Sequence, residues 1–348
     1  MRKIKYVPIL KLRDGEIKAL KNLTETQAKA IIPVFEIVDL DENISDMLEK
    51  LIITGLSEVY VDTSVIDDDD KNILIELLKL SSGKEFLIYP VLYFDDLPSV
   101  ANETLKHTKR LLYKIFVPDD EVYGPVYSDI FRELFSWISG KDISVDIMFD
   151  LGEIRNAQQA SIQLKELRNV VSKYIKNNKS KFDRIIVSST SFPRDLSSLA
   201  AGESMKVDRH DINLFKAIYK DRGFLDIKDL LIYSDYGVTK FTDSEIDFSQ
   251  LKYGPLPKGK YTTKDKYWII KGKKNRITKQ WIKNYYDIAR EIFNSNDYYG
   301  ENFSFGDLDI KRKAFKETGP GNHTSWVIIA TNHHIAVLVD ELSTIYDS

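Results

Sequence analysis

Apolar residues recur along the chain in short runs rich in β-branched and aromatic side chains. The runs are Tyr6–Leu10, Ile31–Val38, Glu58–Val65, Phe86–Phe94, Leu111–Val117, Ser144–Asp150, Arg184–Ser189 and Leu230–Tyr236. Between them lie amphipathic or polar stretches of helical length: Gly15–Ala30, Asn43–Thr54, Lys71–Leu80, Ser128–Ser139 and Asn156–Asn177. Eight strand patterns alternating with helix patterns predict parallel βαβ units. The strands are apolar almost without interruption, as strands covered on both faces must be. The predicted fold is therefore α/β, a closed (β/α)8 barrel of the TIM type. An open, doubly wound sheet is the competing arrangement.

The alternation stops after the eighth strand. Residues 241–320 hold Gly254-Pro255-Leu256-Pro257, a strand-like Tyr267–Ile270 and a helix-like Lys279–Phe293, followed by turn-rich text at 294–300 and 319–322. His323–Leu342 then reads as one long apolar helix. The expected organisation is a barrel core over 1–240, an accessory insertion in the last βα loop over 241–320, and a closing barrel helix over 321–348.

In such a barrel the chemistry belongs at the C-terminal strand ends. Read in order, those ends carry Lys11, Glu36, Asp62, Tyr89, Asp150, the run Ser188-Ser189-Thr190-Ser191, and Asp235. A buried charge needs a partner or a metal. Glu36, Asp62, Asp150 and Asp235 are thus candidates to hold Mg²⁺ or Mn²⁺, or to act as acid and base, with Lys11 stabilising negative charge. The structural alternative is a salt-bridge network neutralised by Lys11 and Arg209. Ser189, Thr190, Arg209 and Tyr236 are also ligand candidates. They are joined by Asn322 and His323 at the start of the last helix, whose first amides suit an anion such as phosphate; helix capping by Asn322 or Thr324 is the plainer role. One of His333 and His334 is expected to be a satisfied core histidine, because adjacent helical residues diverge by about 100° and cannot share a metal. No His-x-x-x-His, Gly-x-Ser-x-Gly or phosphate-loop motif occurs, which disfavours a zinc protease, a serine hydrolase and a P-loop nucleotidase.

Composition changes this picture in two ways. The 348 residues include no cysteine, which removes thiol catalysis, disulfides and thiolate metal sites. The net charge of −3 hides an asymmetry: eleven basic residues and one acid, Asp265, lie between Lys252 and Lys283. Tyr253, Tyr261, Tyr267, Trp268 and Trp281 interleave them. Cations with flat rings suit single-stranded nucleic acid, with Lys271, Lys274 and Arg276 as candidate contacts beside Lys273 and a stacking Trp268 or Trp281. A solvated basic face is the plain alternative. The acidic run Asp67–Asp70 reads as a helix N-terminus rather than a calcium loop. No run of about 18 apolar residues occurs and the N-terminus has no signal core, so a cytoplasmic protein with no membrane partner is expected.

Several segments resemble the beta protein family. They are Tyr6-Val7-Pro8-Ile9-Leu10-Lys11, Pro33-Val34-Phe35-Glu36, Val61-Asp62, Ser191-Phe192-Pro193 and Ser234-Asp235-Tyr236-Gly237. Further along come Tyr298-Tyr299-Gly300, Ser304-Phe305-Gly306-Asp307, Gly321-Asn322-His323-Thr324-Ser325-Trp326 and Thr331-Asn332-His333-His334-Ile335. That family is named for a phage-satellite protein and is widespread in bacterial mobile elements. The resemblance implies a component of a phage-defence or mobile-element conflict system; it carries over no catalytic residue. As an enzyme the protein would be a metal-assisted hydrolase of phosphodiesterase type, acting on or sensing a nucleotide or nucleic acid at the barrel mouth. As a non-catalytic protein it would recognise a phage or toxin partner, or serve as a nucleic-acid-binding module.

Overall fold

The computed structural model describes residues 4–38, 42–64, 71–117, 124–238 and 256–347. The acidic run Asp67–Asp70 and the segment containing Lys252, Tyr253, Gly254 and Pro255 lie outside the described residues. The strands, in chain order, begin with β1 (Tyr6–Lys11), β2 (Val34–Glu36), β3 (Glu58–Asp62), β4 (Leu87–Leu92), β5 (Arg110–Phe116), β6 (Ser144–Glu153) and β7 (Arg184–Thr190). Next come β8 (Ser204–Asp208) and β9 (Leu231–Asp235). Strands β1 to β7 and β9 form a closed, wholly parallel eight-stranded barrel, as the alternation predicts. Helices α1 (Asp14–Lys21), α2 (Glu25–Lys29), α3 (Ile44–Ile52), α4 (Lys71–Ser81), α5 (Ala101–Thr104), α6 (Gly124–Ile138), α7 (Ala157–Val170) and α8 (His210–Lys220) lie between the strands. Among the described residues no helix is long and apolar enough to cross a membrane.

The chain divides into two compact units. The first holds residues 1–12, 29–191 and 210–236, and so the whole barrel. Inside it, side chains of alternate residues form layers. Leu112, Met148 and Ile186 make an apolar middle on β5, β6 and β7; two positions to either side lie Arg110 and Lys114, Asp146 and Asp150, and Arg184 and Ser188. The N-terminal ends form a floor. There Arg110 grips Asp146 with Nη1 at 3.0 and 2.9 Å from its two oxygens and donates from Nη2 to Asp183 at 2.7 Å. Arg184 donates to Asp146 at 3.3 Å and to the Tyr60 hydroxyl at 2.7 Å, and Tyr60 donates to Asp146 at 2.5 Å.

The second unit holds residues 13–28, 192–209 and 237–348. Its antiparallel sheet is ordered β10 (Lys258–Thr262), β11 (Lys266–Lys271), β8. A separate hairpin pairs β12 (Lys273–Lys274) with β13 (Trp281–Lys283). Helices α9 (Tyr285–Phe293), α10 (Phe305–Ala314) and α11 (His323–Tyr346) complete it. The helix pattern expected from Lys279 begins at Tyr285, because residues 279–283 belong to the hairpin turn and β13. Helix α11, expected to close the barrel, groups with the second unit. It is apolar on every side and packs against α1, α10 and β10. The Asn332 amide ties it to Ala19 O at 3.1 Å and to Gly306 N at 3.0 Å.

The floor makes a stability prediction. Replacing Asp146 with Ala leaves two guanidinium groups without their shared carboxylate. Urea unfolding should show a loss of about 3–5 kcal/mol, the cost of breaking a buried pair from one side.

Candidate functional site

Parallel register brings the rim residues together. Lys11 on β1 aligns with Glu36 on β2, and Glu36 aligns with Asp62 on β3. Lys11 and Asp62 are buried and Glu36 is half-buried. One Asp62 oxygen accepts from Ser64 N at 2.9 Å; the other accepts from the Tyr93 hydroxyl at 2.7 Å. Tyr93, just past β4, also lies 3.0 Å from the Ser64 hydroxyl.

Lys114 occupies the middle of this rim. Its ammonium stands 3.6 Å from Asp62 Oδ2, 3.5 Å from Asp150 Oδ2 and 3.4 Å from the Tyr236 hydroxyl. Asp150 accepts from Gly152 N at 3.0 Å and from the Tyr236 hydroxyl. Lys114 faces inward because it is four residues past Arg110 on a strand with a two-residue period. A charged residue inside the apolar run Leu111–Val117 is its sequence signal; it lies two residues short of Phe116, where the strand ends. Tyr89, the candidate from the fourth strand pattern, lies at the floor instead and donates to Glu58 at 3.2 Å. Tyr93 carries the fourth strand's contribution.

Register extends the site along β7 and β9. Asp150 aligns with Ser188, and Ser188 with Ser234. Both serines are fully buried and share the inward face with Asp150 and Tyr236. Their hydroxyls have no hydrogen-bond partner among the described residues. Buried polar groups are nearly always satisfied, so a water or a ligand's polar atom reaching this pair would relieve an unmet hydrogen-bonding demand.

Other expected residues go elsewhere. Asp235 ends its strand on the same rim but faces the outer layer, where Tyr6 and, at 3.0 Å, Tyr233 donate to its two oxygens. Tyr233 in turn packs edge-on against Phe215 of α8. Ser189 and Thr190 are buried at the end of β7. Their neighbour Ser191 is committed to structure: its hydroxyl donates to Ile154 O at 2.8 Å and accepts from Asp211 N at 2.9 Å. Arg209 belongs to the second unit, where it donates to Thr263 O and Lys264 O, each at 3.0 Å, and pairs with Glu341 at 3.0 Å. It does not neutralise the rim through any of these contacts. Asn322 caps α11 by accepting from Ser325 N at 3.0 Å, and His323 is exposed. Both adjacent histidines of α11 are committed. His333 sits 2.8 Å from Asp307 through Nδ1 and 2.8 Å from Thr262 O through Nε2, and His334 Nδ1 lies 2.9 Å from the Thr262 hydroxyl.

Glu36, Asp62, Asp150 and Asp235, the candidates for a metal, do not all converge in this structure. Among the described residues no three His, Asp or Glu side chains are gathered as ligands. Lys114 supplies the positive charge between Asp62 and Asp150, and Asp235 points away. In the basic stretch, Lys271 is half-buried and donates to Leu199 O at 2.7 Å, Trp268 is buried, and Lys274 lies 4.8 Å over the exposed Trp281 ring. Arg276 is exposed.

Burial and neighbouring charge hold Lys114, Tyr93 and Tyr236 in their protonated forms. Burial works against the Lys114 ammonium, but Tyr236, Tyr93, Asp150 and Asp62 outweigh it and raise its pKa well above the usual lysine value. The phenols of Tyr93 and Tyr236 are pushed well above the ordinary tyrosine value, first by burial, then by Asp62 and Asp150 respectively. A group whose folded pKa is raised contributes stability that is complete below its unfolded value and lost as pH rises above it. The protein should therefore lose stability above about pH 10, where unfolded tyrosines and lysines titrate. In urea titrations a Tyr93→Phe/Tyr236→Phe variant should show a shallower alkaline loss than the parent.

No curated protein matches the chain. Among solved structures it is similar to dihydropteroate synthase from Thermus thermophilus, at 13% identity and TM-score 0.35, over 67% of this chain and 88% of that one. It is also similar to the biosynthetic arginine decarboxylase from Campylobacter jejuni, at 10% identity and TM-score 0.44, over 99% of this chain and 56% of that one. Likenesses this distant assign no activity. The Beta protein family model matches residues 6–340, and the chain belongs to that family.

Proposed function

We propose that the protein is a recognition component of a mobile-element conflict system, and that the barrel mouth binds a small polar ligand without turning it over. The observation that carries this reading is the placement of Lys114. Its three contacts, at 3.4–3.6 Å, are all longer than a charge-assisted hydrogen bond of about 2.7–2.9 Å. The ammonium is shared among Asp62, Asp150 and Tyr236 and saturated by none, so an incoming acceptor can claim it. The unpartnered hydroxyls of Ser188 and Ser234 add two further polar contacts on the same inner face.

Binding is favoured over catalysis by protonation. General acid–base chemistry wants a group that titrates near the working pH. Lys114, Tyr93 and Tyr236 are all driven away from it. Electrostatics also redirects the ligand class. Glu36, Asp62 and Asp150 outnumber Lys11 and Lys114, so the rim disfavours phosphate and favours a neutral or cationic molecule that offers an acceptor to Lys114 and donors to the carboxylates. The conflict setting comes from the family resemblance.

The serine pair provides the test. An unsatisfied buried hydroxyl costs about 1–3 kcal/mol. A Ser188→Ala/Ser234→Ala variant should therefore melt at the same or a higher temperature than the parent, and should lose protection in a phage plating assay. A lower melting temperature would mean that the hydroxyls are architecture. Glu36→Gln gives a second arm. Because Glu36 is half-buried, its melting point should change little while protection falls. A drop of about 3–5 kcal/mol would make Glu36 part of a structural pair, and the ligand site would be withdrawn.

A further inference from the structure

The second unit displays a surface that the barrel reading does not use. The turn joining β12 to β13 is built on Asn275. Its side-chain oxygen accepts from Ile277 N at 2.8 Å and Thr278 N at 3.0 Å. Its backbone donates to Gln280 O at 2.8 Å and accepts from Lys279 N at 3.1 Å. Lys279 takes the left-handed φ of 58° that closes the turn. A turn held this firmly projects its side chains instead of folding them back.

Those side chains are unusual for a surface. Ile277 is 91% exposed, Ile282 57% and Trp281 45%. Scattered exposed apolar residues are ordinary, but here three fall within one short hairpin: Ile277 in the turn, and Trp281 and Ile282 side by side on β13, one on each face of the ribbon beside the turn. Lys273, Lys274 and Arg276 flank it and form no ion pair among the described residues. No acid occurs between Lys266 and Tyr286.

Three kinds of partner accept parts of this surface. Nucleic acid engages cations and a flat ring, but the usual single-strand contact gives no apolar pocket to two exposed isoleucines. Protein interfaces take Trp and aliphatic anchors, but they are depleted in lysine. An anionic lipid surface takes all of it: basic groups reach headgroup phosphates, Trp sits at the interface, and aliphatic tips enter the acyl boundary. We propose that the β12–β13 hairpin docks the protein peripherally on an anionic lipid surface. The sequence-based expectation of no membrane partner rested on the absence of a spanning helix, and peripheral docking requires none.

The test is co-sedimentation of the full chain with phosphatidylcholine vesicles, alone or mixed with phosphatidylserine in equal parts. The protein should pellet with the mixed vesicles, weakly at raised salt, and stay in solution with phosphatidylcholine alone. Lys273→Glu/Lys274→Glu/Arg276→Glu should weaken partition by roughly a hundredfold or more, from about fivefold per basic residue. Ile277→Ser/Ile282→Ser should weaken it at least tenfold at unchanged charge. Neither variant should lower the melting temperature, since all five side chains lie at or near the surface. Failure to pellet at low salt overturns the proposal. So does pelleting that ignores the isoleucine changes. A single-stranded oligonucleotide that binds the hairpin more tightly than the vesicles, through the cations alone, would replace it with a nucleic-acid surface.

Discussion

A lysine ammonium inside a parallel barrel constrains everything around it. Lys114 is buried, so its charge is tolerable only with Asp62 and Asp150 both within reach. That condition requires β3, β5 and β6 to hold their registers, because a slip of one residue would turn each carboxylate to the outer face. The seven-residue pairing of β5 with β6, from Arg110 opposite Ser144 to Phe116 opposite Asp150, sets the reach between Lys114 and Asp150. Tyr236 then donates to Asp150 across the gap, which places β9 and brings Ser234 beside Ser188.

The eight strands and their closure were legible because buried parallel strands leave an apolar run that few other elements produce. The rim was legible in part. Strand ends give the right height in the barrel, and Lys11, Glu36, Asp62, Asp150 and Tyr236 do lie there. Strand ends do not give the face. Asp235 and Tyr236 are neighbours in sequence, yet one is held by Tyr6 and Tyr233 outside while the other reaches Asp150 inside. Only counting in twos from a residue of known orientation separates them. The same counting from Arg110 would have found Lys114.

The second unit was legible only over 241–320, where an accessory region was expected, and its other segments were hidden for a different reason. Its residues 13–28 and 192–209 are separated in sequence from the 237–348 segment that they join. The strand Ser204–Asp208 alternates half-buried and exposed residues over five positions, too short a signal to stand against the strong barrel runs. Within that unit, polar residues that read as chemistry turn out to be packing. Tyr261, Ser304 and His333 all converge on the buried carboxylate of Asp307. With both ring nitrogens engaged, His333 has none left for a metal. Nothing local distinguishes such a histidine from a catalytic one; its partners come from 26 and 71 residues away.

The two ends of the barrel use the same residue types to opposite effect. At the floor, arginine meets aspartate. A planar guanidinium delivers two hydrogen bonds to Asp146 at 2.9 and 3.0 Å, and a second arginine and a phenol complete the shell. The hydrogen bonds of Asp146 are made within the cluster, which reads as a rivet. At the mouth the cation is lysine, a point charge on a flexible stem with no contact shorter than 3.4 Å. Two serine hydroxyls on the same inner face have no partner among the described residues. A cluster kept only for stability would be better served by the floor's geometry, or by apolar residues of the same volume. The incomplete coordination of Lys114, at the end of the barrel where βα loops can vary without disturbing the strands, is what a site kept for an occupant requires.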